Sequence, residues 1–382
     1  MFDFSLHRPT WAEIDLDNLS FNFHSAKKFI GEDIKIMAVV KADAYGHGAV
    51  ECARRLEREG IDWFGVALPM EGVELRRAGI RKLILCLGSF WPGQESLLLD
   101  NHITPVIFNA DRASLFDRAA LDRGVIADVH VKIDTGMGRV GVRMDELDRF
   151  LDKISVMNHI RVAGVMTHFA AADNSSENEF TELQIERFEA CVARFRAHGF
   201  NPIYLDLANS PGAVAHPNSR GNLVRLGGIL YGLGDDVLPP ETEKPELRPV
   251  MSIRTRVAHL KRVPAGESLG YGRTFVTNRD SVIATLPIGY QDGLPRLLSN
   301  VGGVSIGGAK APIVGRVSMD WTIIDVTDLG AVNIGDEVIV FGGEIKAETV
   351  ARQADTISYE ITCGISRRVP RIYVEGEEKR MV

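Results

Sequence analysis

The fold is decided by a stretch that reads Ile36-Met37-Ala38-Val39-Val40-Lys41-Ala42-Asp43-Ala44-Tyr45-Gly46-His47-Gly48. An apolar run ends on a lysine, and a segment of small, turn-prone residues follows it. This pattern predicts a buried strand that delivers one amine to the point where the strand becomes a loop. Burial favours the neutral amine, which is the nucleophilic form. The alternative is an ordinary exposed lysine at a strand end.

Similar apolar runs recur through the first two-thirds of the chain, at 63–68, 83–87, 103–108, 128–133, 162–167, 203–207 and 223–230. Helix-like stretches separate them, and the clearest has its apolar residues near helical spacing at Phe180, Leu183, Phe188, Val192 and Phe195. Gly199 predicts the end of that helix. Apolar strands that alternate with helices are typical of a parallel sheet covered on both faces. Eight such units predict an α/β fold with an N-terminal (β/α)8 TIM-type barrel. A doubly wound open sheet is the alternative, although no GxGxxG follows the first strand.

The composition of the sequence changes at 234–249, where four prolines and many charged residues indicate a segment that connects two domains. Short strand-like runs separated by glycine-rich turns follow at 282–286, 312–317, 322–326 and 337–341. They predict a C-terminal all-β domain. We therefore expect three parts: an N-terminal strand within 1–14 that packs with the β domain, a cofactor-binding barrel over 15–238, and the β domain over 239–382.

Composition excludes several classes of function. The 382 residues carry a net charge of -7 and no block of lysine and arginine, which argues against a nucleic-acid partner. The four cysteines are widely spaced and form no CxxC, so we expect a reducing cytoplasm, no disulfide framework and no metal site. No signal peptide is apparent, and no apolar run approaches the ~20 residues of a membrane helix.

Polar residues collect at the predicted carboxyl ends of the barrel strands, where the active site of such a barrel lies. They are Lys41, Tyr45, Lys132, Arg139, His168, Asp206, Asn209, Ser210 and Arg225, with Gly227 and Gly228. The set suits an aldehyde cofactor that carries a phosphate, because the lysine amine condenses with an aldehyde and two glycines let backbone N–H groups approach the phosphate. Taken singly, Gly-Gly is more often a turn, Asn-Ser a helix cap, and a histidine at a strand end structural.

Six ordered blocks of sequence extend this pattern along almost the whole chain. They are 38–48 (AVVKADAYGHG), 132–139 (KIDTGMGR), 208–210 (ANS), 225–232 (RLGGILYG), 269–272 (LGYG) and 318–320 (SMD). Together they resemble the alanine racemases, which are pyridoxal-phosphate enzymes with an N-terminal barrel and a C-terminal β domain. Any one block alone would be weak.

The resemblance implies two opposed acid–base groups. Lys41 would hold pyridoxal 5′-phosphate covalently and serve one face of the substrate, while Tyr271 would serve the other. A phenol has an ordinary pKa near 10 and needs help to ionise at neutral pH. His168, linked to Arg225, would supply that help. Tyr271 and Met319 would reach the active site from the partner subunit, which implies a homodimer with shared active sites.

The resemblance also assigns the remaining site residues. Arg225 would face the pyridine nitrogen, and a guanidinium cannot accept a proton, so that nitrogen would stay unprotonated and transamination would be suppressed. Arg139 would bind the ring oxygen of the cofactor and the substrate carboxylate. Lys132 matches a lysine that is often carbamylated in the family and would orient Arg139; the alternative is an inward lysine paired with a carboxylate. The other assigned residues are Tyr45, Asn209, Ser210, Gly227, Gly228 and Tyr359 for the cofactor, and Met319 and Tyr290 for the substrate and its entrance.

The expected activity is racemisation of L-alanine and D-alanine by a two-base mechanism, which would supply D-alanine for peptidoglycan. One departure is visible at Ser318, where some relatives carry cysteine, and its hydroxyl leaves a racemase of broader specificity as the alternative. A decarboxylase of basic amino acids is a further alternative, but those enzymes place an acid at the pyridine nitrogen. A non-enzymatic cofactor-binding barrel is another, but it would lack the second domain and Tyr271.

Overall fold

Residues 8–381 are described by the computed structural model, and the strands of the first part of the chain follow the predicted apolar runs. In chain order they are β1 Thr10–Asp15, β2 Lys35–Val39, β3 Trp63–Val66, β4 Leu83–Cys86, β5 Ile103–Ile107, β6 Ala127–Asp134, β7 Val142–Arg143, β8 Ile160–Met166, β9 Tyr204–Asp206 and β10 Leu223–Leu226. The last predicted run, 223–230, is a strand only as far as Leu226. Beyond it the chain turns into a short 3-10 helix, Gly228–Tyr231.

Eight of these strands form a parallel barrel in the order β10, β2, β3, β4, β5, β6, β8, β9. Strand β10 pairs in parallel with β2, from Leu223 opposite Lys35 to Leu226 opposite Ala38. The ring is nearly closed between β9 and β10 by two backbone hydrogen bonds, Arg225 N to Ala208 O (2.9 Å) and Asn222 N to Leu205 O (3.3 Å). The predicted barrel is confirmed, and the open doubly wound sheet is excluded because its two edge strands would not meet.

Helices follow most barrel strands and cover the outside of the barrel. They are α1 Leu16–Ile30, α2 Lys41–Tyr45, α3 Ala49–Arg58, α4 Pro69–Arg77, α5 Glu95–Asp100, α6 Ala110–Asp122, α7 Leu147–Ile154, α8 Asn178–Ala197 and α9 Ser210–Ala215. Of these, α2 is a short turn at the barrel mouth whose inner residues have left-handed φ and ψ. Helix α8 is the predicted helix with its stop at Gly199, whose φ of 83° is favourable only for glycine. Helix α1 is capped by Asp15, whose carboxylate accepts a hydrogen bond from Asn18 N at 2.8 Å.

Side chains fill the inside of the barrel below the carboxyl ends of its strands. Met37, Trp63, Leu85, Val106, Met166 and Leu223, each from a different strand, form one buried cluster. His130 of β6 lies against the rings of Trp63 (5.3 Å between centroids) and Tyr204 (5.6 Å). Burial lowers the pKa of His130 to about 3, so this imidazole is neutral. The barrel is therefore a packed core, and functional groups are left to its carboxyl-terminal mouth.

The second domain is built on antiparallel strands, as predicted. They are β11 Met251–Arg256, β12 His259–Val263, β13 Ser268–Leu269, β14 Phe275–Val276, β15 Ser281–Leu286, β16 Gly303–Ile306, β17 Ala309–Pro312, β18 Thr322–Asp325, β19 Glu337–Phe341, β20 Arg371–Glu375 and β21 Glu378–Met381. A seven-stranded sheet runs β17-β16-β19-β11-β1-β20-β21, and a three-stranded sheet runs β12-β15-β18.

Strand β1 lies inside the large sheet, antiparallel to β11 and parallel to β20. The strand that we expected near the N-terminus therefore pairs with strands of the β domain, while residues 1–7 of the predicted segment lie outside the described residues. The division at 1–14, 15–238 and 239–382 remains our proposal for the domain boundaries. Within residues 8–381, no helix is both long and apolar enough to cross a membrane.

Two features of the β domain differ from the sequence prediction. The run 312–317 is not a strand: β17 ends at Pro312, Ile313 forms only an isolated bridge with Ile324, and Gly315 turns the chain with a φ of 76°. Two unpredicted helices lie between β19 and β20, α10 Ala347–Gln353 and α11 Ser358–Cys363. With seven and six residues, they are too short for an apolar repeat to become visible.

Candidate active site

Lys41 stands at the end of β2, where the chain enters an unusual turn. The four residues that follow it, Ala42 to Tyr45, all have φ between 53° and 55°. Single left-handed residues other than glycine cost about 1–2 kcal/mol each, so a run of four requires support from its surroundings. The alanine and aspartate residues at these positions do not predict a run of left-handed backbone from the sequence.

Two side chains from outside the turn, and one close backbone contact, hold it in place. Glu71 accepts a hydrogen bond from Ala42 N at 2.8 Å and also binds the backbone N–H groups of Ala67 and Leu68. Arg371, from β20, donates from both Nε and Nη2 to Gly46 O, each at 3.1 Å. A side chain at Gly46 would collide with the carbonyl of Thr362, since an added Cβ would lie 2.2 Å from that oxygen. The β domain therefore presses directly on the turn that carries Lys41.

The Lys41 amine is half-buried, and burial lowers its pKa from the ordinary lysine value. The positive charge of Arg139 lowers this pKa further, while Glu71 opposes the effect. A larger share of the amine is therefore neutral than in an exposed lysine, as the strand-end position led us to expect. This amine is suited to attack an electrophilic carbonyl and to exchange protons.

A cradle of hydrogen-bond donors lies at the same mouth. It is formed by the Gly227-Gly228 backbone, the hydroxyls of Tyr45 and Tyr359, and Ser210, whose Oγ accepts a hydrogen bond from Gly227 N at 3.0 Å. An added Cβ at Gly227 would lie 2.6 Å from the Tyr45 hydroxyl, and one at Gly228 would lie 2.6 Å from the Tyr359 hydroxyl. Burial raises the pKa of both tyrosines, so both stay protonated and can donate. Backbone N–H groups and neutral hydroxyls around glycines are a donor set suited to a phosphate.

Asn209 has a structural task beside this cradle. Its side-chain oxygen accepts a hydrogen bond from Gly212 N at 3.1 Å and so caps α9. The ordinary explanation of Asn-Ser as a helix cap applies to this oxygen. The cap fixes the backbone that presents Ser210 to Gly227.

Arg225 forms the floor of the site, and it is buried. Its guanidinium pairs with Asp206 and donates to the carbonyls of Thr167 (2.8 Å) and Leu207 (3.0 Å). It also contacts Nδ1 of His168 at 3.2 Å. Because a guanidinium has donors and no acceptor, Nδ1 must carry the lone pair and the imidazole proton must sit on Nε2. Burial, followed by the charge of Arg225, holds the pKa of His168 well below its usual range, so the ring is neutral.

Lys132 and Arg139 add two more cations to the mouth. Lys132 is buried, and burial followed by Arg225 and Arg139 lowers its pKa to about 8. Within residues 8–381 it forms no ion pair with a carboxylate, which is the arrangement that the alternative explanation of Lys132 required. Arg139 lies exposed on a loop shaped by Asp134, whose carboxylate accepts hydrogen bonds from Gly136 N and Gly138 N at 3.0 Å.

The remaining predicted residues lie in the β domain. Tyr271 is 72% exposed. Met319 and Tyr290 are also exposed, on segments that are hydrogen-bonded to each other through Tyr290 N and Ser318 O at 2.9 Å. The Ser318 hydroxyl donates to Trp321 O at 2.7 Å and is thus used inside its own turn.

Comparison with known families decides how this arrangement is classified. Residues 14–235 match the family model "Alanine racemase, N-terminal domain", and residues 250–373 match "Alanine racemase, C-terminal domain". The chain belongs to the alanine racemase family. This confirms the resemblance of the six sequence blocks, and it makes the chain an isomerase, an amino-acid racemase. It also rules against the decarboxylase and the non-enzymatic binding protein as alternatives.

Individual alanine racemases match along nearly their whole length. The enzyme of Halothermothrix orenii is 44% identical over 377 residues, which cover 96% of this chain and 97% of that one. Among solved structures, the alanine racemase of Clostridium difficile 630 has a TM-score of 0.92 at 39% identity and covers 99% of both chains. The alanine racemase of Bartonella henselae "with covalently bound pyridoxal phosphate" has a TM-score of 0.87 at 28% identity, over 96% of this chain and 99% of that one.

Sequence reasoning missed the residues of this racemase that hold other site residues in position. Glu71 and Arg371 hold the lysine turn, and Asp206 holds Arg225, yet none of the three was assigned a role. Asp206 stood among the strand-end polar residues and could have been found there. Glu71 and Arg371 lie far from Lys41 in the sequence, and no local pattern connects them to it.

Proposed function

We propose that the chain interconverts L-alanine and D-alanine with pyridoxal 5′-phosphate as its cofactor, as a homodimer in which two subunits build each active site. The observation that carries the proposal is the pairing of one activated amine, Lys41, with a phosphate-shaped cradle at the same barrel mouth. An alanine racemase with the cofactor covalently bound is among the structural relatives, which supports the same choice of cofactor.

The residues present fit this cofactor. The cradle of Tyr45, Ser210, Gly227, Gly228 and Tyr359 would hold the phosphate, and Lys41 would hold the aldehyde carbon. When bound, the cofactor supplies an electron sink that makes the hydrogen on the substrate's α-carbon acidic.

Two groups of the protein would then move protons. The Lys41 amine, already biased toward its neutral form, accepts or returns the proton on one face of the α-carbon. We assign the other face to Tyr271 of the partner subunit, because this residue is exposed on its own β domain and free to enter a neighbouring site. Racemisation requires two such groups, since one group alone would return the proton to the face from which it came.

His168 would support the partner's Tyr271. Its only proton lies on Nε2, because Arg225 fixes the lone pair on Nδ1. A neutral Nε2–H is a donor that favours an ionised phenol oxygen over a protonated one. Arg225 would face the pyridine nitrogen and, having no proton-accepting atom, would leave that nitrogen unprotonated.

Substrate recognition would fall to Arg139 and to the exposed segments of the β domain. Arg139 would pair with the substrate carboxylate, and the partner's Met319 would offer its backbone N–H. Tyr290 would narrow the entrance. The Ser318 hydroxyl is committed to Trp321, which supports a turn-forming role for it more than a widened, polar pocket. Racemisation of serine therefore stays the second candidate, to be tested beside alanine.

A biosynthetic role belongs to the same proposal. D-alanine made by this reaction would supply peptidoglycan, and the four free cysteines suit the reducing cytoplasm that we expect as its location.

The test is proton exchange on the purified protein supplied with the cofactor. L-alanine is incubated with the enzyme in D2O, and α-deuteration and chirality are followed by NMR. We expect deuterated D-alanine to accumulate, and exchange with serine but not with alanine would move the substrate while keeping the mechanism. No exchange with any amino acid, in protein that binds the cofactor, would contradict the proposal.

A further inference from the structure

A buried carboxylate stands behind Arg225. Asp206 is the last residue of β9, its side chain is fully buried, and its Oδ1 pairs with Nη1 of Arg225. Its backbone carbonyl accepts from the same guanidinium nitrogen at 3.1 Å. The second carboxylate oxygen, Oδ2, has no hydrogen-bond partner within the described part of the chain. Arg225 is thus gripped on one side by Asp206, while another edge contacts His168.

The surroundings of Asp206 are rich in positive charge. Arg225 lies in contact with it, Lys132 of β6 acts on it from the neighbouring side of the barrel, and His168 lies beyond Arg225. The charges of Arg225, Lys132, Arg139 and Lys41 all lower the pKa of His168. Asp206 is the carboxylate that contacts Arg225. Its negative charge therefore offsets part of the positive charge that acts on His168.

The charge on Asp206 opposes folding rather than supporting it. Burial raises its pKa to about 6, and the attraction of Arg225 and Lys132 recovers only part of the loss. A carboxyl whose folded pKa exceeds its unfolded one favours the folded state at low pH, and this contribution disappears as the pH rises through about 6. A neutral side chain of the same shape would avoid this penalty. A buried ion pair is weak evidence that its charges stabilise the fold. We therefore look for the role of Asp206 in the active site.

We propose that Asp206 is a positioning residue for the racemase reaction: it fixes the guanidinium of Arg225 and balances its charge, so that His168 and the bound cofactor face a compensated pair and not a bare cation. This inference rests on the proposed function. Without the carboxylate, the full charge of Arg225 would act on His168 and on the cofactor. Both would then hold their protons less tightly.

The decisive variant is Asp206→Asn, which keeps the shape and an acceptor oxygen for Arg225 but removes the charge. We expect the holoenzyme variant to bind the cofactor, and the pH at which the bound chromophore loses its proton to fall by about one unit, because a contact charge has been removed. We expect kcat to fall about tenfold with KM less affected. We also expect the titration of Asp206 near pH 6 to appear in the pH profile of kcat/KM of the parent enzyme and to be absent from that of the variant.

The matched control is Asp128→Asn. Asp128 lies at the amino-terminal end of β6, away from the barrel mouth, and it forms an exposed ion pair with Arg161 there. The same formal charge is lost there, so an unchanged chromophore and an unchanged pH profile are expected.

A structural role alone would give a different result. If Asp206→Asn lowered only the melting temperature and left the chromophore titration and the pH profile of kcat/KM as in the parent, the proposal would be wrong. Should Asp206→Asn fail to fold, Asp206→Glu keeps the charge, and its chromophore must titrate where the parent's does; a shift as large as that expected for the asparagine variant would overturn the proposal. Failure of the parent to racemise alanine would instead contradict the proposed function, which the proton-exchange experiment reports separately.

Discussion

Two lysines at one barrel mouth differ in what surrounds their amines. Lys41 emerges from a strand end into a turn, while Lys132 points from β6 toward two arginines and pairs with no carboxylate in the described chain. Sequence reasoning found Lys41 because it ends an apolar run, and it found Lys132 because it lies on a predicted barrel strand inside a block that resembles the family. It could not choose between a carbamylated and an ion-paired Lys132, since the choice depends on neighbours that are distant in sequence.

The environment of Lys132 predicts carbamylation by dissolved carbon dioxide. With a pKa of about 8, roughly a tenth of the amine is neutral at pH 7, far more than for an exposed lysine, and Arg139 and Arg225 would stabilise the anionic product. Protein equilibrated with 13C-bicarbonate should show one carbamate signal in 13C NMR that grows from pH 7 to pH 9. Lys132→Arg should remove it, and a signal that survives this change would assign the modification to another lysine.

Tyr271 permits a cleaner test of the second proton-transfer group. Tyr271→Phe removes only the hydroxyl, so we expect racemisation to fall by at least about a hundredfold while the cofactor chromophore survives. Tyr204→Phe, on a tyrosine that packs against Trp63 and His130, is the control and should keep its turnover. Normal turnover in the Tyr271 variant would mean that another group serves the second face.

At the scale of elements, the left-handed turn after β2 is the feature that no pattern predicted. The apolar runs located the barrel strands, because burial on both faces leaves a continuous mark in the sequence. The turn after Lys41 has no such mark, since its conformation is imposed by Glu71 and Arg371. The missing strand at 312–317 has a local cause, because the positive φ of Gly315 turns the chain within an apolar run.

In this turn, we expect substitution by glycine to affect the free energy of unfolding in the opposite direction from the same substitution inside a helix. Ala42→Gly should leave the free energy of unfolding unchanged or raise it by up to about 1 kcal/mol, because glycine adopts a φ of 54° without the usual penalty. Ala190→Gly, at an exposed position inside α8, should lower it by about 1 kcal/mol. Denaturant titrations of the two variants make the comparison, and equal losses would contradict the strain assigned to the turn.

At the scale of the whole molecule, the two domains meet at the lysine turn. The sequence predicted a barrel and a β domain but not this contact, because a hydrogen bond from Arg371 to Gly46 joins residues 325 positions apart. The same limit applies to the proposed dimer, in which the exposed Tyr271 would complete a neighbour's site.

Shared sites predict complementation between two inactive variants. Lys41→Ala and Tyr271→Phe homodimers should each be inactive, but heterodimers formed by unfolding and refolding a mixture contain one intact site of two. Random pairing should therefore restore about a quarter of the parent activity. Each variant refolded alone is the control. A mixture as inactive as its components would place both residues in the same subunit.

The position of β1 has a consequence for protein synthesis. On the ribosome, β1 and the Lys41 turn emerge long before β20, which pairs with β1 and carries Arg371, 325 residues after Gly46. Domains generally fold as they emerge, N-terminal first, so the nascent barrel closes before its lysine is clamped. Catalysis would then wait until β20 has emerged and folded. Truncated fragments that end before β20 would contain the Lys41 amine and the glycines of the cradle, yet they would be inactive.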